Sequence, residues 1–189
     1  MREIVIATGN QGKINDFKYI FPNDRVIGIQ SLLPDFDVDE TGTTFEENAA
    51  LKSEAACRLL NKIVIADDSG LAVDALNGEP GIYSARYAGL EKNDDANIDL
   101  LLKNMKDVAD RTAKFVCVIA LSEPGHETKT YRGEVAGEIA YERRGENGFG
   151  YDPVFYLPEQ QRMMAELSGE EKAEVSHRGQ AIDLLKQDF

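Results

Sequence analysis

Adjacent acids occur twice in this sequence where chemistry can use them, at Asp39-Glu40 and at Asp67-Asp68. The second pair follows the apolar run Ile63-Val64-Ile65-Ala66, at the exit of an expected strand. Neighbouring carboxylates in such a place are costly unless they are solvated or paired with a cation. Mg²⁺ takes hard oxygen ligands and is commonly held by one or two carboxylates together with substrate phosphates. Glu40 and Asp68 suit that demand. Consecutive side chains on a strand point opposite ways, so one of Asp67 and Asp68 can face a site while the other supports it. Taken alone, Asp67-Asp68-Ser69-Gly70 is equally a turn, since Asp, Ser and Gly are all turn formers.

Basic and aromatic groups accompany the acids. Thr8-Gly9-Asn10-Gln11-Gly12-Lys13 stands between an expected strand and an expected helix. A bend at a helix N-terminus points N–H groups at one spot, where the helix dipole favours an anion, and Lys13 adds a full charge. The spacing is too short for a Walker A motif, and neither Ser nor Thr follows the lysine. An ordinary strand-to-helix turn accounts for this segment equally well. In Gly145-Glu146-Asn147-Gly148-Phe149-Gly150-Tyr151-Asp152-Pro153, three glycines bracket an aromatic pair. Such a ring can lie flat on a nucleobase, a contact worth roughly 1–3 kcal/mol, or it can fill core space. Finally, Lys172-Ala173-Glu174-Val175-Ser176-His177-Arg178 sets His177 and Arg178 in the first turn of a helix that Ser176 can cap. That end of the dipole repels cations, so their placement makes sense if an anion or an electron-rich base edge lies against them.

Composition excludes several classes. A net charge of −13 repels duplex nucleic acid, which is bound through phosphate neutralisation, yet it leaves room for a small anion in a local basic cluster. Cys57 and Cys117, the only cysteines, make neither a disulfide framework nor a zinc set, and they read as small buried hydrophobes. Two histidines exclude a multi-histidine metal centre. No apolar run approaches the ~20 residues that cross a bilayer. The first residues are too short and too quickly polar for a signal peptide, so a soluble, cytoplasmic protein is expected.

The elements that must position these groups follow from periodicity. Strands are expected at Glu3 to Ala7, Arg25 to Ile29, Ile63 to Ala66, Leu71 to Leu76, Lys114 to Leu121, Thr128 to Ala140 and Pro153 to Leu157. Helices are expected at Gly12 to Phe21, Thr44 to Leu60, Asp94 to Met105 and Ser176 to Leu185. Thr44 and Glu47 fit a capping box. Together these predict one α/β domain of 189 residues, with a mixed sheet flanked by helices.

These strings, in this order and across nearly the whole chain, resemble the inosine triphosphate pyrophosphatase family, which acts on noncanonical purine nucleoside triphosphates. The matching segments are Thr8 to Lys13, Glu40-Thr41-Gly42 with Phe45 and Glu47-Asn48-Ala49, Ala66 to Leu71, Gly81 to Tyr87, Gly148 to Pro153, and Glu171-Lys172 with Ser176-His177-Arg178. The resemblance implies an elongated α/β fold of two lobes with a central cleft, and a homodimer. It implies hydrolysis of ITP, dITP and XTP to the monophosphate and pyrophosphate, cleansing the nucleotide pool, with Mg²⁺ as cofactor and Mn²⁺ as a substitute. By position it assigns Thr8, Gly9, Asn10, Gln11, Gly12, Lys13 and Lys52 to the triphosphate, and Glu40 and Asp68 to the metal. Asp68 is also the implied base. Ser69, Phe149, Gly150, Tyr151, Asp152, Lys172, His177 and Arg178 are assigned to the rest of the nucleotide. Asp39 and Asp16 stand where many relatives carry Glu, which leaves the choice between Asp39 and Glu40 open.

Two other classes share some of these residues. Asp68-Ser69-Gly70 also matches the aspartic-protease signature, in which two carboxylates share a proton, but that assignment gives Lys13, Phe149 and His177 no role. A module that binds nucleotide without cutting it needs the same basic contacts but gives the paired acids none.

Overall fold

Asn10 starts the first helix in the computed structural model, which describes residues 1–189. Its side-chain oxygen accepts from the N–H groups of Gly12 (2.9 Å) and Lys13 (3.3 Å). Helix α1 then runs Gln11–Ile20 and buries Ile14, Phe17 and Ile20, the face expected from their spacing. Thr44 caps α2 (Phe45–Leu60) by accepting from Glu47 N–H at 3.1 Å. The return bond differs from the expected box, because the Glu47 carboxylate accepts from Thr43 N–H, one residue earlier. Asn61, in the left-handed conformation, ends the helix. Asn93 caps α3 (Asp94–Asn104), and Ser168 opens α4 (Gly169–Val175) through a complete capping box. Ser176 closes α4, and α5 follows at once over His177–Asp188.

Seven strands form one mixed sheet: β1 (Glu3–Ile6), β2 (Arg25–Gly28), β3 (Val64–Val73), β4 (Thr112–Ser122), β5 (Lys129–Ile139), β6 (Phe155–Leu157) and β7 (Arg162–Met163). Their order is β2-β1-β3-β4-β5-β6-β7. β1 is parallel to β2 and β3, whereas β6 is antiparallel to β5 and β7. A mixed sheet with flanking helices is the expected α/β class. β4 is buried along nearly its whole length, as a strand covered on both faces must be, while β5 alternates exposed and buried positions.

Three expectations need correction. The segments Ile63 to Ala66 and Leu71 to Leu76 are one strand: β3 runs straight through Asp67-Asp68-Ser69-Gly70, and only Asp74–Leu76 turns off as a single 3₁₀ turn. Asp67 and Asp68 therefore stand mid-strand and not at an exit, which the pairing of Asp67 with Lys13 and Arg178 permits. Pro153 lies inside a 3₁₀ turn (Asp152–Val154), and the strand starts at Phe155. The short elements β7 and α4 lack an apolar repeat long enough to be read from sequence.

The chain divides into two compact units whose boundaries fall inside β3, β4 and β5 and next to α5. Unit 1 comprises residues 1–68, 117–133 and 178–189, and unit 2 comprises residues 69–116 and 134–177. The unit 1 core packs Val5, Ala7, Ile29, Ala56, Val64 and Ala66, with a second cluster of Ala49, Val118 and Ala120. The unit 2 core is built on Leu71, Leu101, Met105, Phe115, Val154 and Phe155. Helix α2 carries Lys52 on its buried face, so its start matters to both fold and site. Thr44→Ala is expected to lower stability by about 1 kcal/mol in urea unfolding; an unchanged midpoint would remove the cap from the fold's energetics.

Candidate active site

Within unit 1 the chemistry gathers on β3. Asp67 is wholly buried. Its Oδ2 lies 3.2 Å from Lys13 Nζ, from α1, and 3.2 Å from Arg178 NH2, from α5. Arg178 is itself 1% exposed, and its other terminal nitrogen pairs with Asp16. Burial alone would raise the Asp67 pKa, but Lys13, Arg178 and Lys52 together hold its carboxyl well below the usual carboxylate range. Arg178 loses charge stabilisation on burial, yet Asp67 and Asp16 push its pKa above the ordinary value. The anions that explain a cation at the start of α5 are thus in part the protein's own.

Asp68, the next residue, is 4% exposed, and its Oδ2 is buried without a hydrogen-bond partner. Burial raises its pKa to about 6; Lys52 and Lys13 pull against that, while Glu40 and Asp67 add to it. Lys52 Nζ lies 3.1 Å from Glu40 Oε1 and donates to the Asp67 carbonyl at 2.5 Å. Burial disfavours that ammonium, but Asp67, Glu40 and Asp68 outweigh it and raise the Lys52 pKa. Asp39 is exposed, whereas Glu40 is partly buried and turned to Lys52.

Glu40 and Asp68 fit a divalent cation. An unpartnered buried carboxylate oxygen is an available hard ligand, and the Glu40 charge acts on the same group. No cluster of three or more metal-ligating side chains is present. Mg²⁺ does not require one, since it keeps waters and takes ligands from substrate phosphates.

The remaining Thr8–Lys13 residues form a tight turn. Thr8 Oγ1 accepts from Asn10 N–H at 3.1 Å, and Gly9, Asn10 and Gln11 are exposed. The Asn10 side chain is committed to capping α1, where its oxygen takes up the Gly12 and Lys13 N–H groups.

Unit 2 holds the aromatic set. Asp152 Oδ2 accepts from Phe149 N–H (3.1 Å) and from Lys172 Nζ (2.8 Å), both partners of this ion pair being about 5% exposed. Gly148 has φ +74°, and a Cβ there would stand 2.1 Å from Asp152 Oδ2, so the turn requires glycine. Gly150 N–H donates to Asp94 at 2.9 Å. Phe149 is partly exposed and carries the Lys172 ammonium 4.6 Å from its ring centre. Tyr151 is buried and donates its hydroxyl to the Ser84 carbonyl at 2.6 Å, which makes it a wall and not a free ring. The His177 ring is buried and stacks on Phe115 at 4.8 Å between centroids, with Phe155 behind at 4.2 Å. Ser69 is partly buried on β3.

Sequence reading passed over Phe115 as the stacking partner of His177 and Asp16 as the partner of Arg178, whereas Cys117, expected to be buried, is buried with its thiol 4.0 Å from Asp67 Oδ2. The signals existed only weakly, as an aromatic in a strand and a polar residue in a helix.

Comparison with known proteins adds independent information. The model of the Ham1 family matches residues 4–188. The dITP/XTP pyrophosphatase of Staphylococcus epidermidis is 66% identical over 187 residues, covering 99% of this chain and 96% of that protein. The solved structure of the Staphylococcus aureus Ham1 protein superposes with a TM-score of 0.87 at 64% identity, covering 98% and 97% of the two chains. That of the nucleoside-triphosphatase / dITP/XTP pyrophosphatase of Mycobacterium abscessus superposes with a TM-score of 0.75 at 39% identity, covering 97% and 98%.

Two stability outcomes follow from the unit 1 charges. Asp67→Asn strands Lys13, takes one of the two anions from Arg178, and is expected to cost roughly 3–5 kcal/mol in urea unfolding. Asp68 behaves oppositely. Its folded pKa, about 6, lies above the 3.8 of an ordinary aspartate, so the folded state binds the proton more tightly. Its contribution to stability is present at low pH and is lost as pH rises from about 4 to about 6. In EDTA, Asp68→Asn is expected to have a higher urea midpoint than wild type near about pH 8, with the gap closing near about pH 4.5. A gap of the same size at both pH values would contradict the assignment.

Proposed function

Because this chain belongs to the Ham1 family, we propose that it hydrolyses noncanonical purine nucleoside triphosphates (dITP, XTP and ITP) to the monophosphate and pyrophosphate. The observation that carries this reading is Asp68: a buried carboxylate with one unpartnered oxygen, under the charges of Lys13 and Lys52. That is the arrangement a general base beside a polyanionic substrate requires. Relatives named as dITP/XTP pyrophosphatases support the substrate class.

In this mechanism the triphosphate is held by Lys13 and Lys52 beside the Thr8–Lys13 turn. Glu40 and Asp68 are the side chains that would hold Mg²⁺, with Mn²⁺ as a substitute. The bound ion would supply charge neutralisation at the phosphate oxygens. Asp68 orients a water and accepts its proton as the water oxygen attacks the α-phosphorus. The bond from that phosphorus to the α–β bridging oxygen breaks, and pyrophosphate leaves with the electron pair. Lys13 and Lys52 stabilise the charge that develops on the departing oxygens. Asp67 touches none of the reacting atoms; it positions Lys13 and supports the strand that carries Asp68.

Base recognition falls to Phe149, His177 and Arg178. Phe149 offers a ring to the purine, on a turn fixed by Asp152, Lys172 and Gly150. Tyr151 is held rigid by its hydrogen bond to the Ser84 carbonyl. His177, with Arg178 after it, suits the 6-oxo edge. Adenine presents an amino group where hypoxanthine presents a carbonyl, so donors aimed at that position lose their partner with ATP, which penalises the wrong base. A homodimer and a cytoplasmic location belong to the same reading and rest on the family resemblance. No helix is long and apolar enough to cross a membrane.

With dITP or XTP, the protein is expected to release one pyrophosphate per monophosphate, and EDTA is expected to abolish release. Asp68→Asn is expected to lose roughly 10²–10⁴-fold in turnover while remaining folded. Orthophosphate as the product, or an Asp68→Asn variant at wild-type rate, would overturn this mechanism.

A further inference from the structure

Glu40 meets Lys52 in this structure: Glu40 Oε1 stands 3.1 Å from Lys52 Nζ, and the lysine side chain is only 11% exposed. The same ammonium is tied to the Asp67 carbonyl. Its stem leaves the buried face of α2, so the charge is placed there by the fold. Lys13, the other lysine of the cluster, is directed to the Asp67 carboxylate instead.

We infer that Lys52 acts as a gate on the cation site: it neutralises Glu40 in the free protein, keeps a divalent ion out, and yields Glu40 only when nucleotide phosphates take up its ammonium. This rests on Glu40 and Asp68 being the Mg²⁺ ligands, and it adds the order of events. An ion bound at Glu40 would sit directly beside a fixed positive charge, and like charges in contact are strongly unfavourable. A triphosphate reverses the balance, because it gives the ammonium a more highly charged partner and brings oxygen ligands for the ion. The cation then enters with the nucleotide and not ahead of it. A cation-loaded protein awaiting substrate is a minor species.

The test uses Mn²⁺ and no nucleotide, reading free Mn²⁺ by its electron paramagnetic resonance signal. The wild type is expected to bind weakly. Lys52→Met is expected to bind on the order of tenfold tighter or more. Lys52→Arg, which keeps the charge, should remain as weak as the wild type. Lys13→Met removes an equal charge that does not touch Glu40 and is expected to gain less than about threefold. Adding Glu40→Gln to Lys52→Met should cancel the gain. Lys52→Gln, which can still donate to the Asp67 carbonyl, replaces Lys52→Met if circular dichroism shows that the latter is unfolded. The inference is overturned if the folded neutral variant binds no tighter than wild type, if Lys13→Met gains as much, or if the gain survives Glu40→Gln. Because nothing is turned over, these failures are separate from a failure of pyrophosphate release.

Discussion

Asp67 carries a full negative charge in the middle of a buried strand, and segments distant in sequence are fixed in space by the need to neutralise it. Lys13 reaches its carboxylate from α1 and Arg178 from α5, while Lys52 on α2 holds its backbone carbonyl. A lone ionised carboxylate in that environment would be prohibitively costly. Once all three cations are present, its pKa drops below the usual range and the charge becomes an organising centre. Unit 1 therefore has a polar core as well as an apolar one, and the polar core dictates where α1, α2 and α5 converge.

The same centre explains why its neighbour behaves differently. Asp68 shares the burial but not the direct pairing, so its pKa moves up and not down. Two adjacent, chemically identical side chains are driven apart by environment, one toward the ionised form and the other toward the protonated one. Pairs of this kind let a single strand carry two carboxyl groups of very different proton affinity.

Much of this was legible in the sequence because the signals were local. Thr44 and Glu47 announced α2, the Ile14, Phe17, Ile20 and Phe21 spacing announced α1, and the apolar run before Asp67 announced a strand. What could not be read was long-range. β3 continues through Asp67-Asp68-Ser69-Gly70 because Lys13 and Arg178, remote in sequence, compensate residues that would by themselves favour a turn. The same holds for His177 and Arg178. Their position at a helix start pointed to an anion, but only the fold shows Asp16 and Asp67 against the guanidinium and Phe115 against the imidazole. In unit 2 the Gly148 turn was visible as glycine spacing, whereas its tie to Lys172 through Asp152 was not.

Cys117 lies against Asp67 at the end of this charge network. Burial pushes its thiol up to about 12, with the pull of Arg178 outweighed. Thiol oxidation and alkylation proceed through the thiolate, which this residue scarcely forms. Sulfur chemistry is thereby shut out beside the Asp67 carboxylate, and peroxide or electrophile stress that disables enzymes with reactive cysteines has no foothold there.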